Sequence, residues 1–254
     1  KIVLLLAVAA LTLPYASAQL ALADPGFWSS KPSVLWNITI TPGPYRDYAL
    51  CAAVWGNYVF VVGVHNISGQ DTEFMVYKLS KSTGEVVQYW KLNPTNGEEY
   101  FRDCVVVGNY LYAIGSDANN DYQWDIVRFD VANLNNYIRV TYDFSDSDRD
   151  TAYSVATDGS YIYVVGSIWS DGWWEIRKYD LNLYFSYRVQ YDLSGGKDKA
   201  YAIGVNPKTR HVWVVGGVND DTKIAVRILD PNLNTVKSVD LPVSPQNLIP
   251  YVWF

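Results

Sequence analysis

The chain has 254 residues, 49% of them hydrophobic and 15% aromatic, which suits one large domain with its own core and excludes a disordered segment. Lys and Arg number 20 against 26 Asp and Glu, a formal net charge of −6, and no basic run occurs. Binding to nucleic acid through phosphate neutralisation is therefore not expected.

Residues 1–18 read as a secretory signal peptide. Lys1 precedes an apolar run over 2–13, Pro14 follows, and Ala16-Ser17-Ala18 supplies small residues at a cleavage site. The run is shorter than the ~20 residues that a spanning helix needs, so no membrane span is expected after cleavage. Residues 19–33 read as a linker. Residues 34–40, Val-Leu-Trp-Asn-Ile-Thr-Ile, read as a lone strand, of the kind that closes a ring by completing its last blade. Asn37 and Asn66 lie in Asn-x-Ser/Thr triplets that an exporting host can glycosylate.

From residue 45 onward the chain repeats. A β-rich run ending in glycine recurs at Gly63, Gly115, Gly166 and Gly216. Upstream of each lies a short apolar run, over 48–54, 103–107, 152–156 and 201–205. Downstream lie a third run, over 74–79, 125–129, 174–179 and 224–229, and a fourth, over 86–92, 138–144, 187–193 and 236–241. These runs are rich in Val, Ile, Tyr and Phe and too short for helices. Gly56-Asn57, Gly108-Asn109 and Asp158-Gly159 supply turn chemistry between them. Four short antiparallel strands per repeat describe a propeller blade. The expected fold is an all-β β-propeller with four visible blades, over about 45–92, 98–144, 149–193 and 197–242. Residues 244–254 read as the start of a further blade, so the four are expected to be the leading part of a larger ring within a propeller region of 34–254.

The third repeat reads Asp150-Thr-Ala152-Tyr153, Asp158-Gly159, Tyr163-Val-Val-Gly166 and Lys178-Tyr179-Asp180. The fourth reads Asp198-Lys-Ala200-Tyr201, Trp213-Val-Val-Gly216 and Leu229-Asp230. This pattern resembles the β-propeller repeat often called SBBP, over roughly residues 45–242. The first two repeats depart from it, with Ser80 in place of the third-strand Asp and Phe101 in place of Ala. The resemblance implies the fold and an exported or surface protein, and no particular activity.

Cys51 and Cys104 are the two cysteines. Aligning Gly56 with Gly108 puts Cys104 one position later than Cys51 on its inner strand. Side chains alternate faces along a strand, so the two point opposite ways, as residues of adjacent facing blades must. A disulfide between blades one and two is expected, the alternative being two small buried residues.

Strand alternation puts the longer loops on one face. That face is expected to be acidic and aromatic: Asp71, Asp121, Asp171 and Asp221 lie on it, one per blade, with Trp124, Trp169 and Trp173 in or beside the loops. Trp124, Trp169, Trp173, Asp121 and Asp171 are the candidate ligand-binding residues, for a protein or a carbohydrate. Trp rings stack on sugar faces, although most aromatics of the chain fall inside strands and belong to the core. Asp47, Glu99, Asp150 and Asp198 precede the inner strands. They either accept backbone N–H bonds there or converge on a cation near the axis. Asp146, Asp148 and Asp150 alternate as calcium ligands do, without the Gly and Glu of an EF-hand; a solvated acidic loop is the other reading. Calcium is the one cofactor to consider.

His65 and His211 are the only histidines, and no zinc, nucleophile-elbow or phosphate-loop motif occurs. The expected function is a non-enzymatic binding or surface module, secreted or at the cell surface. The alternative is a hydrolytic enzyme, carbohydrate-active for instance, with paired carboxylates at the central channel.

Overall fold

The computed structural model describes residues 34–40, 45, 47–69, 71–118, 122–144 and 149–242. Among them, sixteen strands form four antiparallel sheets of four. Blade one is β1 (Tyr48–Trp55), β2 (Tyr58–Asn66), β3 (Thr72–Ser80) and β4 (Val86–Leu92). Blade two is β5 (Tyr100–Val107), β6 (Tyr110–Asp117), β7 (Gln123–Asp130) and β8 (Tyr137–Tyr142). Blade three is β9 (Thr151–Thr157), β10 (Tyr161–Ile168), β11 (Trp173–Asp180) and β12 (Phe185–Tyr191). Blade four is β13 (Lys199–Val205), β14 (Val212–Val218), β15 (Lys223–Leu229) and β16 (Thr235–Pro242). Within each sheet the strands are ordered as in the sequence. The first strands lie side by side, β1 by β5, β5 by β9 and β9 by β13, so the sheets radiate from them. This is a β-propeller architecture. The predicted signal peptide, the linker and the further blade over 244–254 lie outside the described residues.

The repeated glycines have a steric cause. Gly63, Gly115, Gly166 and Gly216 sit opposite Ala49, Phe101, Ala152 and Ala200 on the inner strands. Beside each pair the inner strand bulges by one residue, at Leu50, Arg102, Tyr153 and Tyr201. The carbonyls of Tyr48, Tyr100, Thr151 and Lys199 then occupy the space that a glycine Cβ would need.

Two contacts repeat between blades. In the first, a third-strand ring reaches the glycine of the next blade. Trp124 lies against Gly166 and Trp174 against Gly216; their Nε1 groups donate to the carbonyls of Ser167 at 3.4 Å and Gly217 at 3.0 Å. Blade one has Phe74 there, stacked on Phe101 with centroids 4.4 Å apart. Phe74 with Phe101 thus divides the volume that Trp with Ala fills elsewhere, which explains why Phe101 replaces Ala in the second repeat. In the second contact, a basic third-strand residue donates to a carbonyl of the next blade. Lys78 reaches Val131 at 2.7 Å, Arg128 reaches Leu181 at 3.0 Å and Lys178 reaches Pro231 at 2.7 Å. Each lies over a tyrosine of its own blade, Tyr58, Tyr110 or Tyr161. Asp130, Asp180 and Asp230 close the turns that follow by accepting N–H bonds from two residues on. Ser80 does the same work more weakly, from Thr83 at 3.3 Å.

Blade four has Ile224 and Ile228 at the two contact positions. Trp213, Ile224 and Leu241 are exposed there, because among the described residues no sheet covers that face. At the other end, residues 34–40 are not a strand. Trp36 Nε1 donates to the Lys81 carbonyl at 2.7 Å, the counterpart of the Val131 carbonyl, and Trp36 and Ile40 pack against Val59, Met75, Tyr77 and Leu79. The segment therefore covers this face of blade one, and among the described residues its backbone joins no sheet. Cys51 on β1 and Cys104 on β5 form a disulfide with a Cα–Cα distance of 5.9 Å, joining blades one and two.

Candidate functional site

The carboxylates that precede the inner strands are occupied by the backbone. Asp47 Oδ1 accepts from Asn66 N–H at 3.0 Å and lies 2.6 Å from His65 Nδ1. Asp150 accepts from the N–H groups of Phe144 and Trp169, both at 3.0 Å. Asp198 accepts from Leu193 N–H at 2.7 Å, Ser194 Oγ at 2.7 Å and Asn219 N–H at 2.8 Å. Each carboxylate thus ties its inner strand to the loop after the second strand, the structural one of the two sequence readings. Burial pushes the Asp150 carboxyl up to about 6, against the pull of its two N–H donors.

Glu99 is the odd member. It is fully buried, accepts from Thr95 Oγ1, and leaves Oε2 without a partner. Burial pushes its carboxyl from 4.5 up to about 7, against the Thr95 bond. The fold therefore favours the protonated acid. The stability this contributes is complete below pH ~4.5 and is lost as the pH rises through ~7. The loss should reach about 3 kcal/mol. Urea unfolding at pH 4.5 and pH 7.5 should show this fall in the wild-type chain and a smaller one in Glu99→Gln. An identical pH profile for the two would reject the assignment.

Two buried carboxylates do approach each other, but away from the axis. Asp117 on β6 and Asp125 on β7 are both bound by Arg139 of the outermost strand β8. Burial pushes Asp125 up, opposed by Arg139. One guanidinium engages both, so this is an ion triad within the blade rather than an acid and base facing a substrate.

The candidate ligand residues divide. Trp124 has no exposed surface: it is the second residue of β7 and fills the junction between blades two and three. It is withdrawn from the ligand set. In the turn between β10 and β11, Trp169 is half-buried and Asp171 exposed, and Trp173, half-buried, opens β11. Asp121, Asp146 and Asp148 lie outside the described residues. Asp150 is corrected from calcium ligand to structural acid, since both its oxygens accept backbone N–H bonds and no surface is exposed. Among the described residues, no group of three His, Cys, Asp or Glu is placed to hold a metal ion.

What the structure assembles instead is a run of rings and cations. The bulges leave Arg102, Tyr153 and Tyr201 on the inner strands of blades two, three and four. Trp169 lies under Lys197, whose Nζ is 3.5 Å from the ring centroid, and under Lys199 at 5.3 Å. Lys199 is also 5.9 Å from the Tyr201 ring. Tyr201 meets Tyr153 edge to face at 5.1 Å. The Arg102 guanidinium is 5.1 Å from Tyr153 and 4.5 Å from Tyr100. Asp221 joins the run, accepting from the Tyr201 hydroxyl at 2.9 Å and lying 3.5 Å from Lys199. Burial, and then the Asp221 charge, push the Tyr201 hydroxyl up, which keeps it a donor at neutral pH. This run is thus cationic and aromatic; of the acids expected on the long-loop face, Asp221 is paired into it, Asp171 is exposed in the same turn as Trp169, and Asp121 lies outside the described residues. Of this run, the sequence reading singled out Trp169 and the loop acid Asp221. Tyr153, Lys199 and Tyr201 fall in the repeat pattern without being marked there as binding residues, and the one-residue bulge at Arg102 is a matter of register.

No family model matches the chain, and no curated protein matches it by sequence. Solved structures match it in fold. U3-55K matches at TM-score 0.51 and 12% identity, over 78% of this chain and 53% of that one. Hydrazine synthase of Kuenenia stuttgartiensis matches at 0.51 and 14%, over 80% and 53%. A subtype N10 neuraminidase-like protein of A/little yellow-shouldered bat/Guatemala/060/2010 matches at 0.50 and 11%, over 75% and 65%. The chain spans about half to two thirds of these structures. At such identities the likeness is one of fold, the β-propeller.

Proposed function

We propose that the chain is an exported, non-enzymatic binding module, secreted or held at the cell surface, that takes a carbohydrate on the ring-and-cation run at the long-loop end of its inner strands. The observation that carries this reading is the continuity of that run from Trp169 through Lys199, Tyr201 and Tyr153 to Arg102 and Tyr100. Flat aromatic faces beside hydrogen-bonding groups suit sugar rings. Export is supported by the composition of residues 1–18 and by the Cys51–Cys104 disulfide, a bond at home in oxidising compartments. A hydrolytic reading draws less support, because the carboxylates nearest the inner strands spend their oxygens on backbone N–H groups.

The test is a glycan array with the exported chain, followed by calorimetric titration of the best ligand. Trp169→Ala should weaken that ligand about tenfold, a loss of ~1.4 kcal/mol, while leaving the melting temperature in place. A chain that retains no glycan, or a Trp169→Ala variant that binds as the wild type does, would remove the proposal.

A further inference from the structure

Arg102 is the bulged residue of β5, between Phe101 and Asp103 in the register with β6. Its guanidinium is bracketed by Tyr100 and Tyr153. Its Nε is buried and has no hydrogen-bond partner. No ion pair among the described residues includes it. The adjacent carboxylate is committed elsewhere: Asp103 accepts from Ser154 Oγ at 2.7 Å, Val155 N–H at 2.9 Å and Cys104 N–H at 2.8 Å.

A guanidinium is permanently charged and presents five donors in a planar fork. Removing it partly from water without a counter-ion is costly. The Nε side is buried and the rings hold the guanidinium plane, so a carboxylate or sulfate brought by a ligand would be met by the two terminal amino groups with parallel bonds. The wider surface points the same way. Lys197 and Lys199 lie on the same run, and Asp221 is the acid paired into it. On a chain of net charge −6, three cations spaced along one run of rings favour an anionic partner. The rings favour a saccharide over an acidic peptide, since four of them line the run. The run also crosses three blades, which suits several sugar units rather than one.

We propose that Arg102 reads the acidic group of the ligand, and that the ligand is a polysaccharide carrying carboxylates or sulfates along its chain. This rests on the binding function proposed above and adds the charge of the ligand to it.

The experiment titrates the exported chain with four probes: oligogalacturonate, dextran sulfate, neutral dextran and poly-glutamate. The wild-type chain should bind at least one of the two acidic saccharides tenfold or more tightly than dextran. The arm that binds distinguishes carboxylate from sulfate. Arg102→Gln should bring that affinity down to the level of dextran, and Arg102→Lys should recover only part of it, because an ammonium lacks the fork. Trp169→Ala should weaken the acidic and neutral saccharides by the same factor. Circular dichroism and the melting temperature of Arg102→Gln establish that it folds; if it does not, Arg102→Lys carries the comparison. Equal affinity for dextran and the acidic saccharides, with Trp169→Ala still weakening both, overturns the role of Arg102 and leaves the binding function standing. Poly-glutamate bound as tightly as the acidic saccharides overturns the ligand class. Binding of no saccharide at all overturns both proposals.

Discussion

Gly166→Ala is expected to unfold the chain at room temperature, a loss beyond about 4–5 kcal/mol. The substitution adds one methyl group, so the size of the effect has to come from what surrounds it. A Cβ at this position would enter the Thr151 carbonyl of the bulged inner strand and the Trp124 ring of the preceding blade. The first is backbone in a hydrogen-bonded sheet. The second is a fully buried ring. Neither can turn away, so relief requires the bulge to open or the blades to part. The cause is space and not backbone freedom, since the positive-φ glycines of the chain are others, such as Gly56 and Gly108 in the tight turns. Gly204→Ala is the control: a Cβ there meets nothing within 4 Å, and its cost should stay within about 0.5 kcal/mol. Urea unfolding of both variants checks this. A Gly166→Ala chain as stable as Gly204→Ala would mean that the bulge does not press on the glycine.

Trp174→Ala should cost about 3–5 kcal/mol. The ring has no exposed surface and fills the junction between blades three and four against Gly216, where a Cβ would stand 2.8 Å from it. Its loss opens a cavity between two sheets that cannot collapse without tilting a blade. It also leaves the Gly217 carbonyl without the 3.0 Å bond from Nε1. Blade one suggests a compensation. There Phe74 stacked on Phe101 does what Trp174 with Ala200 does here. Trp174→Phe alone should leave a void, and Ala200→Phe alone should crowd the tryptophan. The double variant should be more stable than the sum of the single losses predicts, by roughly 1 kcal/mol or more. Additive losses, measured by denaturant titration, would show that the two sites do not share one volume.

Much of the fold is legible in the sequence because its causes are local. The inner run over 48–54 falls within β1, and the third run over 174–179 falls within β11. Alternation of side chains and turn residues specify both. The cysteines follow the same logic, one register step apart on facing strands. Trp124 is an exception. Its place near a loop suggested a ligand platform, yet the repeat aligns it with Trp174, already assigned to a strand, and not with Trp173. The segment 34–40 has the composition of a strand, but a strand needs a neighbour, and among the described residues it meets blade one through the Trp36 side chain instead.

The four visible blades, their period and the recurrence of glycine at four positions were legible in the sequence itself. Each depends on residues a few places apart, repeated four times. Apart from the cysteine pair, which side chains meet between blades was decided by the tertiary structure. Arg102 and Trp169 come from different blades, and they belong to one surface because Arg102, Tyr153 and Tyr201 are the bulged residues of inner strands that lie side by side. Asp47, Asp150 and Asp198 are held by N–H groups from the end of the neighbouring second strand or the loop after it, a choice between the two sequence readings that only the packed sheets make, since the register of a bulge is set when they pack.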